Sequence, residues 1–208
     1  MISFTVVFFM FMFFFALIGG LRGWAKELLV TFSVVLTLFL VFVLERYSAN
    51  AVVPFSDLDA QLQGASIQVI EPQSVTPFDA LDEGTQNNFQ RQFWIRTVVL
   101  VTLVFFGFQT PSLTRLGGTA RREKIQDFLL GLFIGGINGY FIIGTIWSYM
   151  HSAHYPFAPY IIAPNGNDPL IDTANALVNI LPPVWLGTSP GIFLAIGVSF
   201  LFVLVVFI

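Results

Sequence analysis

Arg22, Lys26 and Glu27 form the densest charged group close to an apolar run in this chain. Arg22 and Lys26 are four positions apart, so they share a face if one helix continues through both. Two cations so placed suit a lipid phosphate or a partner's acidic group. The plainer reading is a charged turn that sets topology, with Lys26 and Glu27 paired locally. His151 and His154 are three apart, and on a helix they could contact a metal, a haem or a chlorophyll. Against this, no carboxylate lies within several residues and Tyr155-Pro156 stops the helix, so the expectation is interfacial imidazoles beside Tyr149 and Tyr155. Asn138 is an amide deep in an apolar run, expected to bond helix to helix rather than to a substrate. Glu45 falls at a helix end, which leaves a proton-coupled carrier without its usual intramembrane acid. With no Ser/His/Asp set, P-loop or GxGxxG, the chain reads as no enzyme, with no catalytic residue, no metal and no cofactor. Pigment or haem contacts at His151 and His154 would arise only in a subunit of a larger complex.

The elements that carry these residues follow from composition. Of 208 residues 56% are apolar, 10% are charged and 25 are Phe, with a mean hydropathy of +0.80. Soluble domains carry about 25% charged residues, so lipid is the solvent this composition suits. The net charge of −3 argues against nucleic acid, and the absence of Cys excludes thiolate chemistry. The first apolar run lacks a basic leader and a small-residue cleavage site, and reads as a retained span. The expected fold is all-α and integral to a membrane, with about five transmembrane helices and a short amphipathic outer helix.

A hydrocarbon core needs about 20 helical residues. Five windows qualify: 2–19 and 27–44 as a first hairpin, 93–110 and 128–150 as a second, and 190–208 as a fifth span. Arg96 near one end of the third window is expected to snorkel to the interface. Arg22 and Lys26 in one turn, with Arg115, Arg121, Arg122 and Lys124 in another, place both turns in the cytoplasm, the amino terminus outside and the carboxyl terminus inside. The outer loop 45–92 carries seven acids against Arg46 and Arg91. Within it "SIQVIEPQSVTPF" offers a short extended stretch and "DEGTQNNFQ" a turn or loop. The second outer loop, 151–189, is Pro-rich and ends in an amphipathic helix over 170–181, expected to lie along the outer surface. Trp94, Trp147 and Trp185 fit an interfacial belt.

Gly131, Gly135 and Gly139 recur every four residues, as do Gly191, Ala195 and Ser199, so each set makes a close-packing face. The faces serve either the chain's own helices or an oligomer. "LIGGLRGW" (17–24) also echoes "FIGGINGY" (133–140), a match of eight residues.

"GGLRGWAKELL" (19–29) resembles the opening signature of the colicin V production protein family (CvpA). "KIQDFLLGLFIGGINGYFIIG" (124–144) resembles that family's second signature, and "ALVNILPP" its segment after the fourth span. The family has four spans where this chain has an extra one, and often Arg where this chain has Asn138. The resemblance implies a bacterial inner-membrane protein tied to peptide-toxin export and envelope homeostasis, without an assigned activity. Its partners would be membrane lipids and other integral membrane proteins or itself. Two further readings stand beside it: an accessory subunit of a respiratory, photosynthetic or secretory complex, and a small carrier or channel.

Overall fold

The computed structural model describes residues 3–47, 52–64, 77–109, 121–157, 160–161, 163–165 and 168–207. All its described regular elements are helical. In chain order they are α1 (Phe4–Arg22), α2 (Trp24–Tyr47), α3 (Phe55–Gly64), a 3-10 turn (Phe78–Ala80), α4 (Glu83–Phe108), α5 (Arg121–Ser152), α6 (Ile171–Val178), α7 (Pro182–Trp185) and α8 (Gly191–Phe207). Four helices are long and apolar enough to cross a bilayer: α1, α2, α4 and α5 from Ile125. The fifth apolar helix, α8, is 17 residues long. At about 1.5 Å per residue it reaches about 25 Å, the short end of what a span requires.

The widest helix contact is α1 on α5, and glycine makes it. A Cβ added at Gly135 would lie 2.6 Å from the Phe15 carbonyl oxygen and 2.8 Å from the Gly19 Cα. One at Gly139 would lie 2.9 Å from the Met12 Cα, and one at Gly131 would overlap the Gly19 carbonyl. Backbone therefore meets backbone along the whole row. Phe8, edge-on to Tyr140 and tilted against Trp147, carries the seam to its far end. α2 packs on α4, α5 and α8. Val30, Val34, Leu100, Val104 and Ile142 form a dry apolar layer at its centre, and Val35 and Leu38 meet Leu186 and Ile192 on another side.

Several expectations change here. The stretch "DEGTQNNFQ" is helix, not loop, so α4 starts ten residues before the expected third span. Asp82 caps it, its carboxylate accepting from the Thr85 amide at 3.0 Å. α6 ends at Val178, and the chain then turns against the middle of α5 instead of lying along the outer surface. There the Tyr140 hydroxyl donates to the Ile180 carbonyl and Pro182 sits against Gly144. Trp147 is buried, and the Trp185 indole donates to the Tyr140 hydroxyl at 3.2 Å. Trp147 therefore has no place in an interfacial belt, whereas Trp94 and Trp185 are both half exposed. The expected extended stretch at 66–78 and the side chains of Arg115, Arg121, Arg122 and Lys124 lie outside, or almost wholly outside, the described residues.

Candidate functional site

Two polar clusters interrupt the apolar bundle, one at each end of α2. The one at its amino-terminal end is built on a break in the backbone. At Gly23 the chain takes φ 83°, a conformation glycine adopts without strain. α1 closes there with the Gly23 amide on the Gly19 carbonyl at 2.9 Å. Asp127, reaching over from α5, accepts from the Trp24 amide at 3.2 Å and satisfies an orphan donor of α2. No continuous helix joins Arg22 to Lys26, so the two do not share a face.

Immediately after this break the Glu27 side chain turns into the bundle, where it is 1% exposed. Arg22 folds back across the turn and pairs with its carboxylate. The second Arg22 nitrogen donates to the Phe108 carbonyl at 3.0 Å, one of the unpaired carbonyls ending α4. The guanidinium lies 4.4 Å from the centre of the Phe108 ring. From α5, Asn138 donates to the Glu27 Oε2 and to the Glu27 carbonyl, both at 2.9 Å. It accepts from the Thr31 hydroxyl at 2.7 Å. Arg22, not Lys26, is therefore the partner of Glu27. Glu27 is also the buried acid within the spans that the sequence reading lacked.

The cluster at the carboxyl-terminal end of α2 centres on Arg96, which is likewise 1% exposed and does not snorkel. It donates to Glu45 Oε1 at 2.7 Å, to the Val53 carbonyl at 2.7 Å and to Gln92 Oε1 at 2.9 Å. Its guanidinium sits 4.2 Å from the centre of the Phe55 ring. Glu27 and Glu45 are 18 residues apart, which at about 100° per residue is five full turns, so they share a face of α2 about 27 Å apart. That spacing nearly matches the hydrocarbon thickness of about 30 Å. Each end of the central span thus carries a carboxylate held by an arginine, buried at Glu27 and half-buried at Glu45, with the apolar layer between them.

The histidines lie beyond the Arg96 cluster. α5 ends at Ser152 and His154 has φ 57°, so His151 and His154 do not share a helix face. His154 Nε2 meets Asp59 of α3 at 2.9 Å and its ring sits edge-on to Phe89 at 4.8 Å. The carboxylate missing from the local sequence comes from far along the chain. His151 Nδ1 lies 3.4 Å from the Tyr155 hydroxyl, which also accepts from the Trp147 indole at 3.1 Å. Burial pushes the Tyr155 phenol up to about 12, the Trp147 donor opposing it. Among the described residues no cluster of three metal-ligating side chains forms.

The small-residue positions divide. Gly131, Gly135 and Gly139 all face α1 within the chain. Ala195 packs toward α2 beside Ile192 and Ile196, Gly191 lies against the Trp185 carbonyl, and Ser199 is half-buried. The two echoed segments also meet. Gly19 touches Gly135, and the aligned residues Arg22 and Asn138 converge on the one carboxylate of Glu27. The Arg96–Glu45 pair escaped the sequence reading, although a lone arginine entering an apolar run was itself a signal that an acid must approach it.

Comparisons with protein-family models, with curated proteins and with solved structures found no match.

Proposed function

We propose that this chain is a non-enzymatic, CvpA-like polytopic protein of the bacterial inner membrane that supports export or envelope integrity through association with other membrane proteins. The observation carrying this reading is the meeting at Glu27 of the two segments that bear the resemblance. Arg22 and Glu27 come from residues 19–29 and Asn138 from residues 124–144, and the three form one hydrogen-bonded unit. Motif residues engaged with each other hold helices together, whereas a catalytic or transport site leaves polar atoms facing a substrate. The apolar layer of Val30, Val34, Leu100, Val104 and Ile142 between the two ion pairs weighs against a carrier path along α2. In this reading the basic turns face the cytoplasm, the amino terminus lies outside and the carboxyl terminus inside.

The test is deletion of the gene in its host, followed by measurement of detergent sensitivity and of peptide-toxin release. The reading expects raised sensitivity or reduced release, restored by the wild-type chain. Unchanged envelope and export, or strong hydrolase or transferase activity in the purified protein, would overturn it.

A further inference from the structure

α3 and the residues just before it cover the Arg96 cluster. The Val53 carbonyl accepts from Arg96 at 2.7 Å, and the Val53 amide donates to Gln92 at 3.1 Å. The Phe55 ring lies over the guanidinium and stacks on Phe89, with ring centres 6.1 Å apart. Leu58 is buried in the cluster that holds Phe89, Ala153 and Tyr155. The opposite face of α3, with Ser56, Asp57, Ala60 and Gln61, is exposed. A helix of ten residues is marginal by itself, so these contacts decide whether it stays in place.

One of the contacts can change its charge. His154 Nε2 meets Asp59 Oδ1 at 2.9 Å, and the imidazole reaches it from a strained turn. His154 and Tyr155 both take left-handed backbone, with φ 57° and 55°. A bulky tyrosine stays in that region only where its surroundings hold it. Here the Tyr155 amide donates to the Met150 carbonyl at 2.9 Å, and its hydroxyl accepts from the Trp147 indole. The turn thus fixes the imidazole against α3.

We propose that α3 is a pH-responsive lid over the Arg96–Glu45 pair, locked through Asp59 when His154 is protonated and loosened when that proton leaves. Histidine is the side chain whose charge ordinarily changes between about pH 5 and 8. Protonated, His154 forms an ion pair with Asp59. Neutral, it keeps a hydrogen bond of roughly half the strength. The two side chains are 12% and 43% exposed, so water can deliver the proton. His151 faces the same corner, its Nδ1 3.4 Å from the Tyr155 hydroxyl, and a charge on it would oppose one on His154. α4 brings the uncharged Phe89 ring, while its Arg91 is exposed and donates to Asn88. Asp57, the second acid of α3, is exposed. The lid is therefore held in acid and loosens as pH rises.

This lid does not depend on the export reading, and its failure would leave the deletion phenotype untouched. The chain has no cysteine, so single thiols report its opening in the purified protein. Leu58→Cys lies on the covered face of α3 and Ser56→Cys on the exposed face. Dividing the maleimide labelling rate of the first by that of the second, at each pH, cancels the titration of the thiol itself. The ratio is expected to rise roughly fivefold from about pH 5.5 to about pH 8, from the difference between a charged and a neutral hydrogen bond. Val52→Cys, also covered, is a second reporter and should follow the same curve. Asp59→Asn keeps a hydrogen-bonding group at a half-exposed site and is expected to flatten the rise. A ratio indifferent to pH at both reporters, or one that falls as pH rises, would overturn the proposal. So would an unchanged rise in Asp59→Asn, which would assign the titration to His151 or another group.

Discussion

Glu27 shows what a single buried charge demands. Its carboxylate is satisfied by Arg22 and Asn138 together, and removing it takes one acceptor from a guanidinium and one from an amide inside the bundle. Breaking one side of a buried ion pair costs about 3–5 kcal/mol, whereas losing one buried neutral hydrogen-bonding group costs about 1–3 kcal/mol. Thermal melts in detergent should therefore rank Glu27→Ala as most damaging and Asn138→Ala next. Lys26→Ala should fall within about 0.5 kcal/mol of the parent. A Lys26 variant as damaging as Glu27→Ala would contradict the pairing. The charged group and the buried amide were both legible in the sequence. Their partnership was not, because it depends on the left-handed turn at Gly23 and on the approach of a helix more than a hundred residues away.

Among the helices, glycine decides which surfaces can touch. Gly135 and Gly136 are neighbours in one run, yet they face different surroundings. A Cβ at Gly135 would press on the α1 backbone, while at Gly136 it would rest 3.6 Å from the Ala16 Cβ, an ordinary contact. Gly197 on α8 has nothing within 4 Å. Gly135→Ala should then cost about 1–3 kcal/mol through overpacking. Gly136→Ala and Gly197→Ala should be neutral or gain up to about 1 kcal/mol from helix propensity. The same melts check the ranking, and equal effects at 135 and 136 would contradict the α1–α5 seam. Period-four spacing revealed the row on α5. What lies opposite it could not be read from spacing, and the echo between 17–24 and 133–140 gains weight from the contact between its two copies. The start of α4 was misread because Gln and Asn look like loop residues when the Asp82 cap is overlooked. The dip at 179–186 was hidden because apolar and polar faces alternate alike on a surface helix and on one descending into a bundle.

For the molecule as a whole, hydropathy made the membrane character plain, and four long apolar helices with a shorter fifth agree with it. Hydropathy could not reveal that α2 is the central span, touching α4, α5 and α8, and held at both ends by arginine–carboxylate pairs. That arrangement suits the proposed topology on which the rest depends, in which the Arg22–Glu27 end and the Arg96–Glu45 end lie on opposite sides of one bilayer and the first faces the cytoplasm. Because the chain lacks cysteine, labelling by a membrane-impermeant maleimide tests this directly at two single thiols. Ser56→Cys is exposed on α3 near the Arg96–Glu45 pair, and Lys26→Cys adjoins the Arg22–Glu27 pair. In intact spheroplasts the account predicts labelling of Ser56→Cys alone, with Lys26→Cys labelled only after the membrane is opened. Labelling of both thiols from the same side would contradict it.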